Sequence, residues 1–326
     1  MERTIFLAGL RGDNPLGYLA AIGILASLED IYVNAKLSWS GLTPSLKLEQ
    51  SMEETEAKVA DEVGYRNMLI DVLYRSLRQG EDASSIVPGE KNLTFESRKI
   101  YDIAVKAAYE ATFPARRTVD LIAAYGIPDS DPEEKMLPSN WVMLSGQGHQ
   151  NFLENMANII RGCNREHLES ALFGSWEERD DGRNRSLRLD PSEDRRYALM
   201  DGDPADSKRK LETMIGANRL AIEALRFFPS FPVSGKGRLG VVAWKVGNVG
   251  KEQAKVRWPL WSCYAGGQII KALLSQDLLW EVDKSADARE KLLKRGIFAV
   301  IEARRIEVDS YMNITPGVPI WWHTWA

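Results

Sequence analysis

A helix that is apolar nearly all round follows a short strand at the start of this chain. Residues 5–25 read IFLAGLRGDNPLGYLAAIGIL, which is an apolar strand, a turn rich in Gly, Asp and Asn, and then the helix. Asn14 is a favoured N-cap residue, and Pro15 suits the first helical position, where no backbone N–H is needed. Each glycine inside a helix costs about 1 kcal/mol relative to alanine. Because Gly17, Gly23 and the alanines between them leave little bulk, we predict that this helix lies at the centre of a domain, with another backbone packed closely against it.

Composition limits the class of protein and of partner. The chain has 326 residues, 44% of them hydrophobic, and its ten tryptophans add to the material for a folded core. The formal net charge of -4 gives no bulk attraction to nucleic acid or membranes, so any such contact needs a local basic patch. Cys163 and Cys263 are the only cysteines, which excludes a disulfide framework and is typical of a reducing compartment. With no long apolar run and no signal-peptide pattern, we expect a cytoplasmic protein without membrane spans.

The order of predicted elements indicates a mixed α+β fold, with strands toward both ends and a largely helical middle. We expect an N-terminal α+β domain with a helical insert over residues 1–175, and a C-terminal α+β domain with a basic hairpin over 211–326. An irregular loop rich in Arg and Asp, residues 176–210, separates them. In the C-terminal part, strands are predicted at 239–246 and 253–258, and helices at 211–227, 264–280 and 285–295.

The hairpin region is the strongest candidate for a binding site. Residues 236–257 contain six cationic residues and one acid, Glu252, so this stretch carries +5 within a chain of -4. The cationic residues are Lys236, Arg238, Lys245, Lys251, Lys255 and Arg257. Trp244, Trp258 and Trp261 are interleaved with them. Cations that pair with phosphates beside aromatic rings that stack on bases are typical of a nucleic-acid groove, and Trp244 is the stacking candidate. The alternative is an ordinary strand pair with solvated lysines and tryptophans in the core.

A second candidate lies in the irregular segment. Arg183, Arg185 and Arg188 fall in the stretch 182–188, which contains no acid. Because the guanidinium group matches phosphate geometry, we expect these three side chains to contact a nucleic-acid backbone. Farther along, over 190–196, we expect an internal ion-pair network in which Asp190 and Asp194 hold Arg195 and Arg196.

No pattern in the sequence predicts a catalytic site. The three histidines, His149, His167 and His323, lack the spacing of a zinc-protease pair, and no nucleophile–base pair can be assigned. We therefore predict no catalytic residue, no metal ligand and no cofactor. A metal-dependent nuclease remains an alternative, with Mg²⁺ held by acids of the segment 190–203. Those acids are Asp190, Glu193, Asp194, Asp201 and Asp203.

Two blocks of the sequence resemble a known family. The first is GLRGDNPLGYLAAIGIL at 9–25, which runs from the turn into the first helix and is followed by the strand LSWS at 37–40. The second is SLRLDPSEDRRYAL at 186–199, followed by GANRLAIEALRFFP at 216–229. Together they cover roughly a quarter of the chain and resemble CRISPR-associated type I subunits, in particular the type I-G (formerly I-U) group and related large-subunit-like proteins.

The resemblance implies a non-catalytic subunit of a Cascade-like surveillance complex in antiviral defence. Such a subunit contacts guide RNA and target DNA beside other CRISPR-associated subunits, and a separate helicase–nuclease cuts the DNA. The chain is shorter than many large subunits of that family, which favours an accessory subunit over one that reads the motif beside the target. The alternative is a structural assembly protein that docks through Trp321 and Trp322 near the C-terminus.

Overall fold

The computed structural model describes residues 4–31, 33–48, 62–79, 91–92, 102, 106, 115–128, 136–144, 151–177, 180–181, 185–193, 212–233, 238–245, 254–308 and 311–324. The helices are α1 (Pro15–Glu29), α2 (Glu62–Gln79), α3 (Ala115–Tyr125), α4 (Phe152–Gly162), α5 (Arg165–Phe173), α6 (Ile215–Ala224), α7 (Gly267–Leu274) and α8 (Ala286–Lys294). Short 3₁₀ helices lie at Pro191–Glu193, Leu225–Phe227 and Asp277–Trp280.

The strands toward the N-terminus and in the middle are β1 (Thr4–Phe6), β2 (Ala35–Ser40), β3 (Thr43–Leu48), β4 (Gly126–Pro128), β5 (Met136–Pro138), β6 (Asp180–Asp181) and β7 (Glu212–Thr213). Those of the C-terminal part are β8 (Ser230–Val233), β9 (Arg238–Val241), β10 (Trp244–Lys245), β11 (Lys255–Trp261), β12 (Ile297–Val308), β13 (Tyr311–Ile314) and β14 (Val318–Trp322). The predicted mixed α+β class is confirmed.

Two antiparallel sheets hold most of the strand residues. The N-terminal sheet has the order β1-β3-β2, and the C-terminal sheet has the order β10-β11-β12-β13, with β14 also paired to β12. The pairs β4–β5, β6–β7 and β8–β9 form separate two-stranded ribbons. Helices dominate between the two larger sheets, as the sequence predicts. None of the helices described here is long and apolar enough to cross a membrane.

The predicted elements of the C-terminal part appear with shifted ends. The helix expected from residue 211 begins at Ile215, and the one expected at 264–280 is α7 followed by a 3₁₀ turn. The predicted hairpin exists as β10 paired with β11, but β9 pairs with β8 instead. The residues predicted to connect the hairpin strands, 247–250, lie outside the described residues.

Helix α1 is the central element, as its sequence predicts. Every residue from Pro15 to Leu28 is buried. Its N-cap is Asn14, whose Oδ1 accepts hydrogen bonds from the backbone N–H groups of Leu16 and Gly17 at 2.9 and 3.2 Å. Helix α6 packs along α1 so closely that a Cβ atom on Gly23 would overlap the carbonyl oxygen of Leu220. The small residues of α1 therefore permit direct backbone contact.

Aromatic residues join α1 to both larger sheets. The ring of Tyr18 stacks on Trp39 of β2 and packs against Trp258 of β11, with centroid distances of 5.5 and 5.4 Å. Trp258 Nε1 donates to the carbonyl oxygen of Gly12 at 2.8 Å. Buried residues from Ile5 to Ile314 belong to one hydrophobic cluster. The core therefore runs across the boundary predicted between residues 175 and 211.

A buried carboxylate ties α3, α6 and the C-terminal end of α1 together. Glu223 is fully buried and accepts hydrogen bonds from Arg117 of α3 and Arg219 of its own helix. Arg226 lies against Glu223 and binds Asp30 after α1 through two hydrogen bonds of 2.8 Å. Burial alone would raise the pKa of Glu223, but the three guanidinium groups outweigh it and hold that pKa well below its ordinary value. Glu223 is therefore ionised in the folded protein and links these helices through its ion pairs.

Replacing Gly23 with alanine separates local propensity from packing. Helix propensity alone would make Gly23→Ala more stable by about 1 kcal/mol. Because the new methyl group would overlap the Leu220 carbonyl, we expect instead a loss of about 3 kcal/mol in unfolding free energy, measured by urea denaturation. Gly162→Ala is the control, since the nearest atom to its added methyl, Arg185 Cζ, lies 3.5 Å away. Equal stability of Gly23→Ala and the wild type would contradict this packing.

Candidate nucleic-acid interface

The structure places the predicted binding residues in different surroundings. Lys236, Lys251 and Arg183 lie outside the described residues, and Arg238 opens β9 opposite Val233. The remaining predicted residues are divided between solvent and core. They are Lys245, Lys255, Arg257, Trp244, Arg185 and Arg188.

Three cations stand opposite one another across three neighbouring strands. The register of β10, β11 and β12 pairs Lys245 with Lys255, and Lys255 with Arg304. Directly opposed residues of antiparallel strands share a face, with Cα atoms roughly 4.5–5.5 Å apart. Lys245 is exposed, Lys255 is partly exposed, and 52% of the Arg304 side chain is accessible to solvent. We call Lys245, Lys255 and Arg304 the cation row.

One buried carboxylate, Glu302, lies beneath two members of the cation row, Lys255 and Arg304. Glu302 accepts hydrogen bonds from Arg257 Nε and Nη2 at 2.9 and 2.8 Å. Its other oxygen lies 3.8 Å from Lys255 Nζ and 3.5 Å from Arg304 Nε. Like charges directly opposite on a sheet repel each other, and Glu302 offsets only part of that repulsion because Arg257 already uses it. The cation row therefore presents positive charge to solvent, where a phosphate anion can bind.

Arg257 is a structural cation, and its prediction as a phosphate contact is wrong. Only 7% of its side chain is exposed. Besides Glu302, it donates to the carbonyl oxygen of Leu279 at 3.0 Å and to Asp283 at 3.2 and 3.4 Å. The hydrogen bond from Arg257 is the main reason why the pKa of Asp283 is lowered. The 3₁₀ helix that ends at Trp280 covers Arg257, whose guanidinium lies 4.9 Å from the Trp280 ring centroid.

Trp244 lies in the core, so its prediction as a stacking residue is wrong. It is only 6% exposed, and its ring meets that of Trp141 edge-on at a centroid distance of 5.0 Å. Trp258 and Trp261 are also buried. For these tryptophans the alternative interpretation holds, because successive strand residues point to opposite faces. Lys245, next to Trp244, consequently points outward, with its Nζ 4.9 Å from the ring centroid of Trp280.

Of the two arginines that the structure describes in the irregular segment, Arg185 is partly exposed and Arg188 is buried. Arg185 lies beside Gly162 at the end of α4 and remains partly accessible. Arg188 is buried, with φ at 61°, and its backbone N–H donates to Ser186 Oγ at 2.9 Å. The prediction that Arg188 contacts nucleic acid is therefore wrong for this structure. The internal ion-pair network predicted for 190–196 lies partly outside the described residues, which end at Glu193 in this segment.

Two of the carboxylates considered for a metal site, Asp190 and Glu193, lie within the described residues, and both bind other side chains of the fold. Asp190 accepts a hydrogen bond from Asn14 Nδ2 at 3.0 Å and another from Ser192 Oγ at 2.8 Å. Glu193 accepts hydrogen bonds from the hydroxyl groups of Ser186 and Thr213. Within the described ranges, no three His, Cys, Asp or Glu residues converge as metal ligands. Of the remaining acids named for this site, Asp194, Asp201 and Asp203 lie outside those ranges.

His167 is part of a helix cap. Its Nδ1 accepts a hydrogen bond from the backbone N–H of Asn164 at 3.1 Å, and Asn164 Oδ1 accepts one from the backbone N–H of His167 at 2.9 Å. These two bonds form the capping box of α5. His149 lies outside the described residues.

No direct signal in the sequence marks Arg304, Glu302 or Trp280 as parts of this site. Arg304 lies outside the 236–257 stretch, and its place in the cation row depends on the pairing of β11 with β12. A charged pair within an apolar strand, Arg304 beside Arg305, is the only hint in the sequence. Because β11 and β12 are far apart in the sequence, tertiary packing decides the register in which they pair.

The two sequence blocks, residues 9–40 and 186–229, contact each other in the fold. Asn14 of the first block donates to Asp190 of the second. Gly23 of the first block lies directly against Leu220 of the second. Described residues of the two blocks are therefore neighbours in the core.

Comparison with known proteins adds no family assignment: no family model matches the chain, and no curated protein matches it in sequence.

Substitutions on β11 distinguish Arg257, which is a structural cation, from Lys255, which faces solvent. Arg257→Gln leaves Glu302 buried without its main partner, so we expect a loss of about 3 kcal/mol in unfolding free energy. Lys255→Gln, two residues away on the same face, should cost about 1 kcal/mol or less, because Lys255 is partly solvated. Urea denaturation of both variants measures the difference. Equal losses would show that Arg257 has no special structural role.

Glu193 should make stability depend on pH. Burial, and then the charge of Asp190, raise the pKa of Glu193 from 4.5 to about 7, against smaller opposing effects of the two hydroxyl donors and Arg188. A carboxyl whose pKa is raised on folding stabilises the fold below its unfolded pKa, and this contribution is lost as pH rises through the folded pKa. Unfolding free energy should therefore fall by about 3 kcal/mol between about pH 4.5 and pH 8 on account of this group.

Glu193→Gln is the matched variant, since an amide can still bond to both hydroxyls but does not titrate. We expect the stability difference between wild type and Glu193→Gln, measured by urea denaturation across this pH range, to change by that amount. A difference that stays constant with pH would rule out a raised pKa at Glu193.

Proposed function

We propose that this chain is a non-catalytic, nucleic-acid-binding subunit of a CRISPR type I surveillance complex, where it contacts guide RNA, target DNA or both. The cation row is the observation that carries the nucleic-acid part of the proposal. The resemblance of two sequence blocks, which lie against each other in the core, supports the CRISPR part. Other CRISPR-associated subunits would be its partners in the complex.

The cation row suits contact with a phosphate backbone. Its three cations belong to adjacent strands, whose spacing of roughly 4.8 Å places positive charge along a line across the sheet. Neutralising phosphates releases condensed counterions, which supplies affinity that does not depend on base sequence. Because phosphate contacts position a protein without reading bases, the row fits a subunit whose guide RNA carries the sequence information.

The net negative charge of the whole chain opposes this contact. With a net charge of -4, the protein repels nucleic acid at long range, and only a local patch can attract it. A surveillance complex would supply additional contacts from neighbouring subunits. We therefore expect the row to contribute measurably within the assembled complex and weakly in the isolated chain.

A structural assembly protein is the second candidate, and the C-terminal strand favours it. Within the described residues, β14 pairs only with β12, so its other edge has no strand partner among them. Val318 and Trp322 on this strand are exposed, and Trp322 meets Phe298 edge-on at 5.5 Å. An exposed edge with large apolar side chains is a place where a partner strand can pair. This candidate predicts that Trp322→Ala prevents complex formation while changes in the cation row do not.

Co-expression with the neighbouring genes and a CRISPR array, followed by purification through a tag on this chain, tests the proposal. We expect stoichiometric partner subunits and discrete RNA of guide length. In the double variant Lys245→Glu and Arg304→Glu, we expect the complex to assemble but to hold nucleic acid at least about tenfold more weakly near 0.1 M salt. The slope of affinity against salt should fall by about 2.

The matched control is Lys291→Glu with Lys294→Glu, which makes the same change in net charge on the exposed face of α8. The control complex should retain wild-type affinity. A purified chain without RNA and without partner subunits would contradict the CRISPR assignment, and equal effects of the two double variants would contradict the cation row as a specific contact.

A further inference from the structure

An aromatic ring, that of Trp280, lies against the cation row. Trp280 ends the 3₁₀ helix Asp277–Trp280 and is partly buried. The Nζ atom of Lys245 lies 4.9 Å from the centroid of this ring, and Cζ of Arg257 lies at the same distance, 4.9 Å. Tryptophan attracts cations more strongly than the other aromatic residues. Trp280 therefore joins an exposed member of the row, Lys245, to the buried Arg257.

The chain on both sides of Trp280 is held in place by Arg257. Its guanidinium group donates to the carbonyl oxygen of Leu279, the preceding residue, at 3.0 Å, and binds Asp283, three residues after Trp280, at 3.2 Å. The side chain of Leu279 is buried. Because these contacts already order the segment, little conformational entropy is lost when a ligand binds to the ring.

The cations beside this ring share few carboxylates. Lys245 is exposed, and among the described residues no carboxylate lies within ion-pair distance of it. Glu302 lies within ion-pair distance of three cations at once, which are Lys255, Arg257 and Arg304. The row next to Trp280 therefore keeps positive charge that an anion can neutralise.

We infer that Trp280 stacks on a base of single-stranded nucleic acid whose phosphates bind the cation row. Every base has a flat face that can stack on an aromatic ring, and the phosphates on either side of that base carry the negative charge that the row attracts. In a duplex the base faces are covered by neighbouring base pairs, so a stacking contact selects unpaired strands. The inference rests on the proposed nucleic-acid function and adds the strand type and the stacking residue.

Lys245 connects the two parts of this contact. In the structure its ammonium group lies against the Trp280 ring. Because a lysine side chain is a flexible four-carbon stem, the ammonium group can move from the ring to a phosphate when a base takes its place on the ring. Lys255 lies opposite Lys245, and Arg304 lies opposite Lys255. These two cations continue the line along which the sugar–phosphate backbone would run.

The combination of groups favours nucleic acid over an acidic protein segment. An acidic segment would pair with the cations but leave the ring of Trp280 without a flat partner. Lysine is depleted at the centre of protein interfaces, whereas two of the three members of the row are lysines. Single-stranded nucleic acid binds to the ring and to the cations together, and the experiment below separates the two kinds of partner.

The test uses the isolated full chain at low salt, where screening is weakest, with two fluorescent probes: an oligothymidylate of about 16 nucleotides and a duplex of equal length. We expect Trp280→Leu to lower the affinity for the single strand about tenfold, because leucine can cover Arg257 but has no flat ring. The affinity for the duplex should stay within about twofold of the wild type, which shows that the cation row is intact. Trp280→Phe keeps an aromatic ring and should retain most of the single-strand affinity.

Two further variants complete the test. Phe231→Ala removes an exposed aromatic ring on β8, outside the row, and should bind both probes as the wild type does. The double variant Lys245→Glu and Arg304→Glu should weaken the binding of both probes, because it removes phosphate contacts that a single strand and a duplex share.

Three outcomes would overturn the stacking role of Trp280. The first is an equal loss of single-strand and duplex affinity in Trp280→Leu, and the second is an effect of the cation-row variant alone. The third is a wild-type chain that binds no single strand at protein concentrations up to about 0.1 mM, the weak end of non-specific affinities.

The proposed function is judged separately, by the RNA and partner subunits that purify with the chain. If the complex holds guide RNA and the cation-row variant weakens that binding, the proposed function stands even where the stacking role fails. If the chain purifies without RNA and partners, the proposed function fails, whereas a single-strand preference that Trp280→Leu abolishes would still support the stacking role.

Discussion

Direct contact between the backbones of α1 and α6 is the constraint on which the rest of the fold depends. It requires a residue without a side chain at Gly23, because the carbonyl of Leu220 occupies the space that a Cβ atom would need. This contact brings the N-terminal turn near the segment after α5, where Asn14 bonds to Asp190. It also leaves Tyr18 facing the aromatic residues of both larger sheets. Widening the gap between the two helices would disturb all of these contacts together.

Buried carboxylates bind the structural cations of the fold. Glu223 binds the guanidinium groups packed around it inside the helical core. Glu302 does the same for Arg257 in the C-terminal sheet, yet it lies only at the base of Lys255 and Arg304. Removing a buried carboxylate would leave cations unpaired in a low-dielectric interior, which is strongly unfavourable. Both carboxylates thus stabilise the fold, and Glu302 also lies within ion-pair distance of Lys255 and Arg304.

The candidate site was only partly predictable from the sequence. Local charge density indicated the hairpin, and Lys245 and Lys255 do face solvent there. The same count of charges could not separate Lys255 from Arg257, because both lie on one face of β11 and differ only in what covers them. Trp244 was assigned to stacking because a sequence window does not reveal which face of a strand meets the core.

Local composition and spacing at helical or strand period were enough to predict the apolar helix, its Asn14 cap, its need for a close backbone neighbour and the mixed α+β class. The register that aligns Arg304 with Lys255 follows instead from the packing of the folded chain. Register depends on which side chains fill a shared core, and a shift by one residue would exchange the two faces of a strand. The candidate contacts for nucleic acid are therefore products of long-range packing, although the cations that form them are visible in the sequence.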